Sequence, residues 1–301
     1  MTSAARQVTF VPHRDGPIDR ELLRPTSRLW HRLWRNRSSA FGLVIVGVIV
    51  FAALAANYLA PYDPLAQELA NRLQGPTSAH LLGTDKFGRD ILSRIIWGSR
   101  VSLLVGVVAV LIGSSAGCFL GLIAGYARGW PDNLIMRAMD IMLALPTIVL
   151  ALAMVAAVGQ SLINIMVAVG IPLVPAFSRL MRGSVMAEAE RDYVLAARAI
   201  GAKHMRILFR HILPNTISSV VVLATLRIAT AILVEASLSF LGLGVEFDRP
   251  TWGNMINEGR TYIQLAPWVS IFPGLAIMLT VLGFSLLGDG LREVADPRLR
   301  S

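Results

Sequence analysis

From Ile141 to Ser178 the chain carries no charged side chain. Water cannot wet so long an apolar run, whereas a bilayer requires one, since crossing the hydrocarbon core takes roughly 20 apolar residues in a helix. The run is too long for one crossing, and Gly159, Gln160, Ser161 and Asn164 interrupt it, so it divides into two helices joined by a tight turn. Phe41–Ala60, Val101–Ala127, about Thr216–Ala236 and about Trp268–Gly288 also reach spanning length. The expectation is an all-α polytopic membrane protein with six transmembrane helices.

Composition agrees: 54% of residues are hydrophobic and 16% charged, with a mean hydropathy of +0.60, where a soluble domain carries about 25% charged residues. Six spans in 301 residues leave no room for a further large soluble domain, so any catalytic engine is expected on another chain. The net charge of +9 could serve nucleic acid, but the basic residues border apolar segments and form no separate basic domain. That pattern excludes nucleic acid as a partner and points to membrane lipid. With the N-terminus inside, the inner segments hold 20 Lys and Arg and the outer segments 7, with Arg227 left inside the fifth span. The positive-inside rule then puts both termini on the cytosolic side.

The membrane-spanning core is expected over residues 41–290, with a cytosolic tail at 1–40 and another at 291–301. Residues 1–40 are not expected to be a cleavable signal, because the apolar run that follows is of full spanning length. Trp30 and Trp34, among Arg28, Arg32, Arg35 and Arg37, predict an interfacial helix. Three connections are long enough to have work to do: outer loops at 61–100 and 237–267, and an inner loop at 182–214. The single cysteine, Cys118, lies in an apolar run and gives neither a disulfide framework nor a cysteine metal site. His204 and His211 are seven apart, which is not ligand spacing on a helix, so no metal is expected.

In the inner loop, a helix would carry Val194, Ala197 and Gly201 on one face while Glu190, Arg191 and Arg198 stay solvated. Small residues there allow another backbone to approach. Gly201 then ends the helix, and Pro214 suits the first turn of the next span. The Ala196-Ala197 pair, Gly201 four residues on, and Leu213-Pro214 beyond it resemble the EAA-type loop of ABC importer permeases. The segments Asp192-Tyr193-Val194 and His211-Ile212-Leu213-Pro214-Asn215 resemble the dipeptide, oligopeptide and nickel branch. So do His80 to Leu103, before the second span, and Glu235 to Gly244 with Thr251-Trp252-Gly253, after the fifth. The likeness runs from about residue 40 to Asp296-Pro297-Arg298 and is to the second permease subunit, the DppC/OppC type. The glutamate of the broad EAA pattern is Leu195 here.

This resemblance implies a type I ABC importer permease of a bacterial inner membrane, not itself an enzyme, whose inner loop docks on a cytosolic ATPase. It assigns ATPase coupling to Glu190, Tyr193, Ala196, Ala197, Arg198, Gly201 and Pro214. The implied partners are a homologous second permease subunit, two cytosolic ATPase subunits or one fused ATPase, and an external substrate-binding protein. ATP and magnesium are expected on the ATPases and no cofactor on this chain, which lacks a Gly-rich Lys-Ser/Thr phosphate loop. Dipeptides or oligopeptides are the implied substrates, with nickel chelates or glutathione as alternatives. An ion-coupled secondary transporter is the rival class.

Arg227 and Glu235 are the candidate residues of the translocation path or subunit interface. A mid-span charge costs about 2.5–3.5 kcal/mol on insertion scales and must face protein or water. Glu235 lies about two turns further on, so a purely structural pair is the alternative. Among the outer residues, Asp85, Arg89, Asp90, Arg94 and Trp252 are candidates for contact with the partner permease or the binding protein. Salt-bridged loop structure is favoured over catalysis there, with Gly83, Gly88 and Gly98 predicting tight turns. Gly121 and Gly125 are a weak cue for helix packing.

Overall fold

The computed structural model describes residues 34, 36–245 and 249–295. The interfacial helix expected around Trp30 falls largely outside that range, as do most of the two tails. Regular structure among the described residues is helical, with a single isolated bridge between Thr84 and Asp90. We number the main helices α1 (Arg37–Leu54), α2 (Ile91–Ala127), α3 (Gly129–Leu143), α4 (Thr147–Val158), α5 (Leu162–Ala189), α6 (Asp192–Ala199), α7 (His204–Phe240), α8 (Trp252–Gly259) and α9 (Trp268–Ala295).

Five of these, α1, α2, α5, α7 and α9, are long and apolar enough to cross a membrane, and α3 with α4, bent by 88° at their junction, passes the same test as a pair where the sixth span was expected. The bend lies at Ala144 to Pro146, where the proline ring and missing N–H stop a helix. The charge-free run therefore holds two features. Its turn at Gly159 to Ser161 falls where the interrupting residues place it, and its break at Pro146 does not follow from hydropathy. The other spans outrun their apolar cores: α2 begins at Ile91, ahead of the expected Val101, because Asp90 caps it by accepting the Ser93 N–H at 2.8 Å. α7 begins at His204 through a π turn over Leu208–Ile212. Pro214 has no N–H to offer the preceding turn, which widens the helix there, and the Asn215 side chain donates instead to the His211 carbonyl at 2.7 Å.

What holds the spans together is close backbone approach. Gly113, Gly117, Gly121 and Gly125 form a stripe along α2 that meets α5. A Cβ at Gly117 would lie 2.5 Å from the Val174 carbonyl oxygen, at Gly121 2.3 Å from that of Ser178, and at Gly125 2.7 Å from that of Arg182. Only glycine permits that separation. The pair noted in the sequence is half of a continuous seam, and with lipid no less apolar than leucine, such tight van der Waals contact is the main attraction available. α1 and α9 use the same device, Gly42 packing on Leu286 and Gly283 on Ile45. Where the start of α1 meets the end of α9, the Asn36 amide donates to the Glu293 carboxylate at 2.5 Å.

α2 is the central helix. One apolar cluster joins it to α4, α5 and α7 through Val105, Ala109, Val155, Val169, Phe177 and Leu238. A second joins it to α1, α7, α8 and α9 through Leu103, Ala53, Ile232, Trp252 and Val269. The faces turned away, including Phe41, Val48, Phe51, Leu111, Phe119 and Met278, remain exposed on the chain, as lipid contact requires.

Candidate coupling loop, outer lock and pathway charge

The inner connection is short and stiff. α5 continues through Arg182 to Ala189, so the loop expected from residue 182 opens only at Glu190. α6 follows, and its end is fixed by paired backbone bonds, Ala202 N–H to Ala197 O at 3.0 Å and Gly201 N–H to Arg198 O at 2.9 Å. This is a Schellman ending, and Gly201 takes the left-handed φ of +81° that it needs. Gly201 accordingly lies beyond the helix, and the single face expected for Val194, Ala197 and Gly201 is not formed. Val194 and Ala197 instead turn inward, 0% and 8% exposed, against Met181, Val185, Ile207 and Ile212 of the same chain. The side chain of Ala197 is thus unavailable to another protein, a correction to its expected coupling contact.

The outward side carries Leu195, Ala196, Arg198 and Ile200, the last 86% exposed, with Met205 and Phe209 exposed further on. Glu190 is exposed and pairs with Arg128 at 2.9 Å, a surface pair of small energetic weight. Tyr193 closes the loop. Its hydroxyl donates to the Glu188 carboxylate at the end of α5 and accepts from the Asn215 amide of α7 at 2.9 Å. Partial burial, and then the Glu188 carboxylate holding its proton, push the Tyr193 hydroxyl above its ordinary pKa. It therefore stays protonated and keeps both bonds. Beside it, the Tyr126 hydroxyl meets His204 Nδ1 at 2.8 Å, tying the end of α2 to the start of α7. Each loop histidine thus lies against a tyrosine, His204 on Tyr126 and His211 on Tyr193. Pro214 is exposed at the foot of α7.

On the opposite side of the membrane, Asp85, Arg89 and Arg94 join Glu258 of α8 in one buried network. Arg89 bonds Asp85 and Glu258, each at 2.6 Å, and Arg94 bonds Glu258 at 2.9 Å and also Asp85. Asp90 holds His80 at 3.0 Å as well as capping α2. Trp252 is buried and donates its indole N–H to the Ile95 carbonyl at 3.0 Å. Asp85, Arg89, Asp90, Arg94 and Trp252 are all 5% exposed or less, so the external contacts expected of them are not made by their side chains. They lock the two outer loops to each other. Gly88 serves the lock with a φ of +74° and a Cβ position only 1.9 Å from the Glu68 carbonyl oxygen. Gly98 is no turn residue; it lies inside α2 under the Trp252 ring. Glu258 carried no sequence signal, because its partners lie more than 160 positions away.

Within the spans, Glu235 is fully buried and accepts from Ser239 at 2.8 Å and from Ser102 of α2 at 3.3 Å. Its side chain is sealed inside this chain, away from the surface that the expected pathway or interface role would need, and it makes no ion pair with Arg227 among the described residues, so the structural pair expected of the two is not formed. Arg227 stays partly exposed, with its Nε buried and lacking an acceptor among the described residues.

The sequence matches the family model described as "Binding-protein-dependent transport system inner membrane component" over residues 117–301. This chain belongs to that family. Residues 24–76 further match the "N-terminal TM domain of oligopeptide transport permease C". The permease is 47% identical to the glutathione transport system permease protein GsiD of Pectobacterium atrosepticum, over 94% of each chain. It is 45% identical to the dipeptide transport system permease protein DppC of Alkalihalophilus pseudofirmus, over 98% of this chain and 97% of that one. With the di/tripeptide permease DppC of Pseudomonas aeruginosa it shares 46% identity over 92% and 93%. Its fold is that of a type I ABC importer permease: the inward-facing MetNI methionine transporter aligns with a TM-score of 0.57 at 19% identity, covering 68% of this chain and 97% of that one. The protein is therefore a multi-pass membrane permease component of a DppC/OppC-type ABC importer, a class that works with ATPase and substrate-binding partners.

Proposed function

We propose that this permease supplies half of the pathway of an ATP-driven importer of dipeptides or oligopeptides, paired with a homologous second permease subunit. Glutathione, itself a peptide, is the alternative cargo that the relatives support, and nickel chelates belong to the same branch. Two cytosolic ATPase subunits, or one fused ATPase, bind ATP and magnesium and carry the hydrolysis, and an external binding protein delivers the substrate. The termini and the α6 loop face the cytosol, as the excess of inner Lys and Arg requires.

One observation carries the coupling role. The loop between α5 and α7 exposes Leu195, Ile200 and Met205 beside Arg198, Lys203 and Arg206 on a turn stiffened by its own buried core. Exposed apolar side chains rimmed by charge are what a protein contact uses. Ala196, Arg198 and Gly201 belong to the contact surface, Glu190 and Pro214 to its edges, and Tyr193 and Ala197 to its support. ATP-driven closure of the ATPases moves this rigid lever, and the spans rearrange around the pathway.

The test is reconstitution with the partner permease, ATPases and binding protein, reading ATP hydrolysis stimulated by loaded binding protein together with peptide uptake. Ile200→Asp removes an exposed apolar contact without touching the core. It is expected to lower ATPase copurification and coupled uptake together, with the chain still folded. Unchanged assembly and uptake would show the loop is not the docking element.

A further inference from the structure

Arg227 lies in the middle of the α7 span with no counter-charge among the described residues, and its buried Nε has no acceptor there. Glu235 is satisfied by serines, and the salt bridges of α3 and α5 use Asp132 with Arg182 and Asp140 with Arg179. A cation within a span faces protein or a water-filled cavity. Its helix places it precisely enough to say what lies beside it. Ala231 and Leu238, further out on the Arg227 side of α7, belong to one apolar cluster with Ala151 and Val155 of α4. The outer ends of the two helices are tied by the Gln160 amide donating to the Gly242 carbonyl at 3.2 Å. Counting inward from that tie at ~1.5 Å per residue, Arg227 and the Leu145-Pro146 break both lie about 20 Å deep.

At that level Ala144, Leu145, Pro146 and Thr147 are all exposed, the chain turns through 88°, and the first turn of α4 has no side-chain cap. Irregular backbone at membrane depth is stable only where protein or water satisfies it. Four successive exposed residues of broken helix offer no regular ridge for a partner helix to pack on, which favours a wet lining over a permanent subunit ion pair.

We propose that Arg227 is a carboxylate-binding residue of the pathway, receiving the C-terminal carboxylate of a peptide as it passes the break at Ala144 to Thr147. The proposal rests on the peptide-importer reading above and adds the group that the pathway recognises. A guanidinium with free donors holds a carboxylate by charge-assisted hydrogen bonds, and a cation without a resident anion can release it again.

The test uses the whole complex in proteoliposomes, with trialanine or trialanine amide loaded onto the binding protein to saturation. Arg227→Gln is expected to cut trialanine uptake about ten-fold or more, while Arg227→Lys, which keeps the charge, retains roughly a third. Uptake of the amide, slow in the wild type, is unchanged by Arg227→Gln, and both variants copurify with all partners. Trialanine uptake at the wild-type rate in Arg227→Gln overturns the proposal. So does loss of the partner permease from the purified variant, which assigns Arg227 to a subunit ion pair. A wild-type complex that hydrolyses ATP but moves no peptide removes the peptide reading itself, a failure visible before any variant is made.

Discussion

Replacing Gly121 by alanine adds one methyl group to α2 where the structure has no room for it. The new Cβ would lie 2.3 Å from the Ser178 carbonyl oxygen and 2.9 Å from Met181 Cβ, both fixed to the α5 backbone. Ordinary contact begins near 3.4 Å, so α5 must retreat by about 1 Å, and rotamer changes cannot relieve the clash. Overpacking of this kind costs about 1–3 kcal/mol. The retreat also opens gaps along the neighbouring close contacts at Gly117 and Gly125, which places Gly121→Ala toward the upper end. Gly47 supplies the control, since a Cβ there meets nothing within 4 Å; Gly47→Ala trades glycine for the better helix former and gains up to about 1 kcal/mol. Reversible unfolding in mixed micelles measures both variants on one scale. Because a single displacement of α5 relieves both clashes, Gly117→Ala with Gly121→Ala should cost less than the sum of the two. Equal stability of Gly121→Ala and Gly47→Ala would refute the seam, and strict additivity would refute its rigid-body relief.

Glu258→Ala leaves Arg89 and Arg94 sharing Asp85 in a buried site, and breaking such a network costs about 3–5 kcal/mol; the same unfolding assay reads it, with protease cleavage in residues 61–90 as the local signature. Ala197→Leu overfills the pocket under α6 and is expected to destabilise by about 1–3 kcal/mol, whereas Ala196→Leu, on the exposed side, stays within about 0.5 kcal/mol. Proteolysis of the inner loop distinguishes them, and equal effects would mean that α6 is rotated from the orientation described here.

The spans were legible because lipid imposes a coarse rule, a run of apolar residues of fixed length, that a linear scan can apply. The turn at Gly159 to Ser161 and the end of α6 near Gly201 were legible for a related reason, since glycine and small polar residues act on their immediate neighbours. Family motifs made the inner loop recognisable, yet they could not say which way each side chain points. A step of one residue, about 100° around α6, decides that Ala197 faces inward and Ala196 outward. The outer charges were visible as a group, but their burial depended on Glu258, remote in sequence.

By itself, then, the sequence determined that the chain is helical and membrane-spanning, how many crossings to expect and which family it resembles, because those follow from local composition and short motifs. Tertiary structure alone decided that the third expected span is bent at Pro146, that the glycines of α2 form a seam with α5, and that Glu235 is sealed while Arg227 keeps no partner within the described chain. The seam and the sealing of Glu235 are relations between helices far apart in sequence, set by backbone approach and burial, while the direction of the bend is set by what the two consecutive helices around Pro146 each pack against.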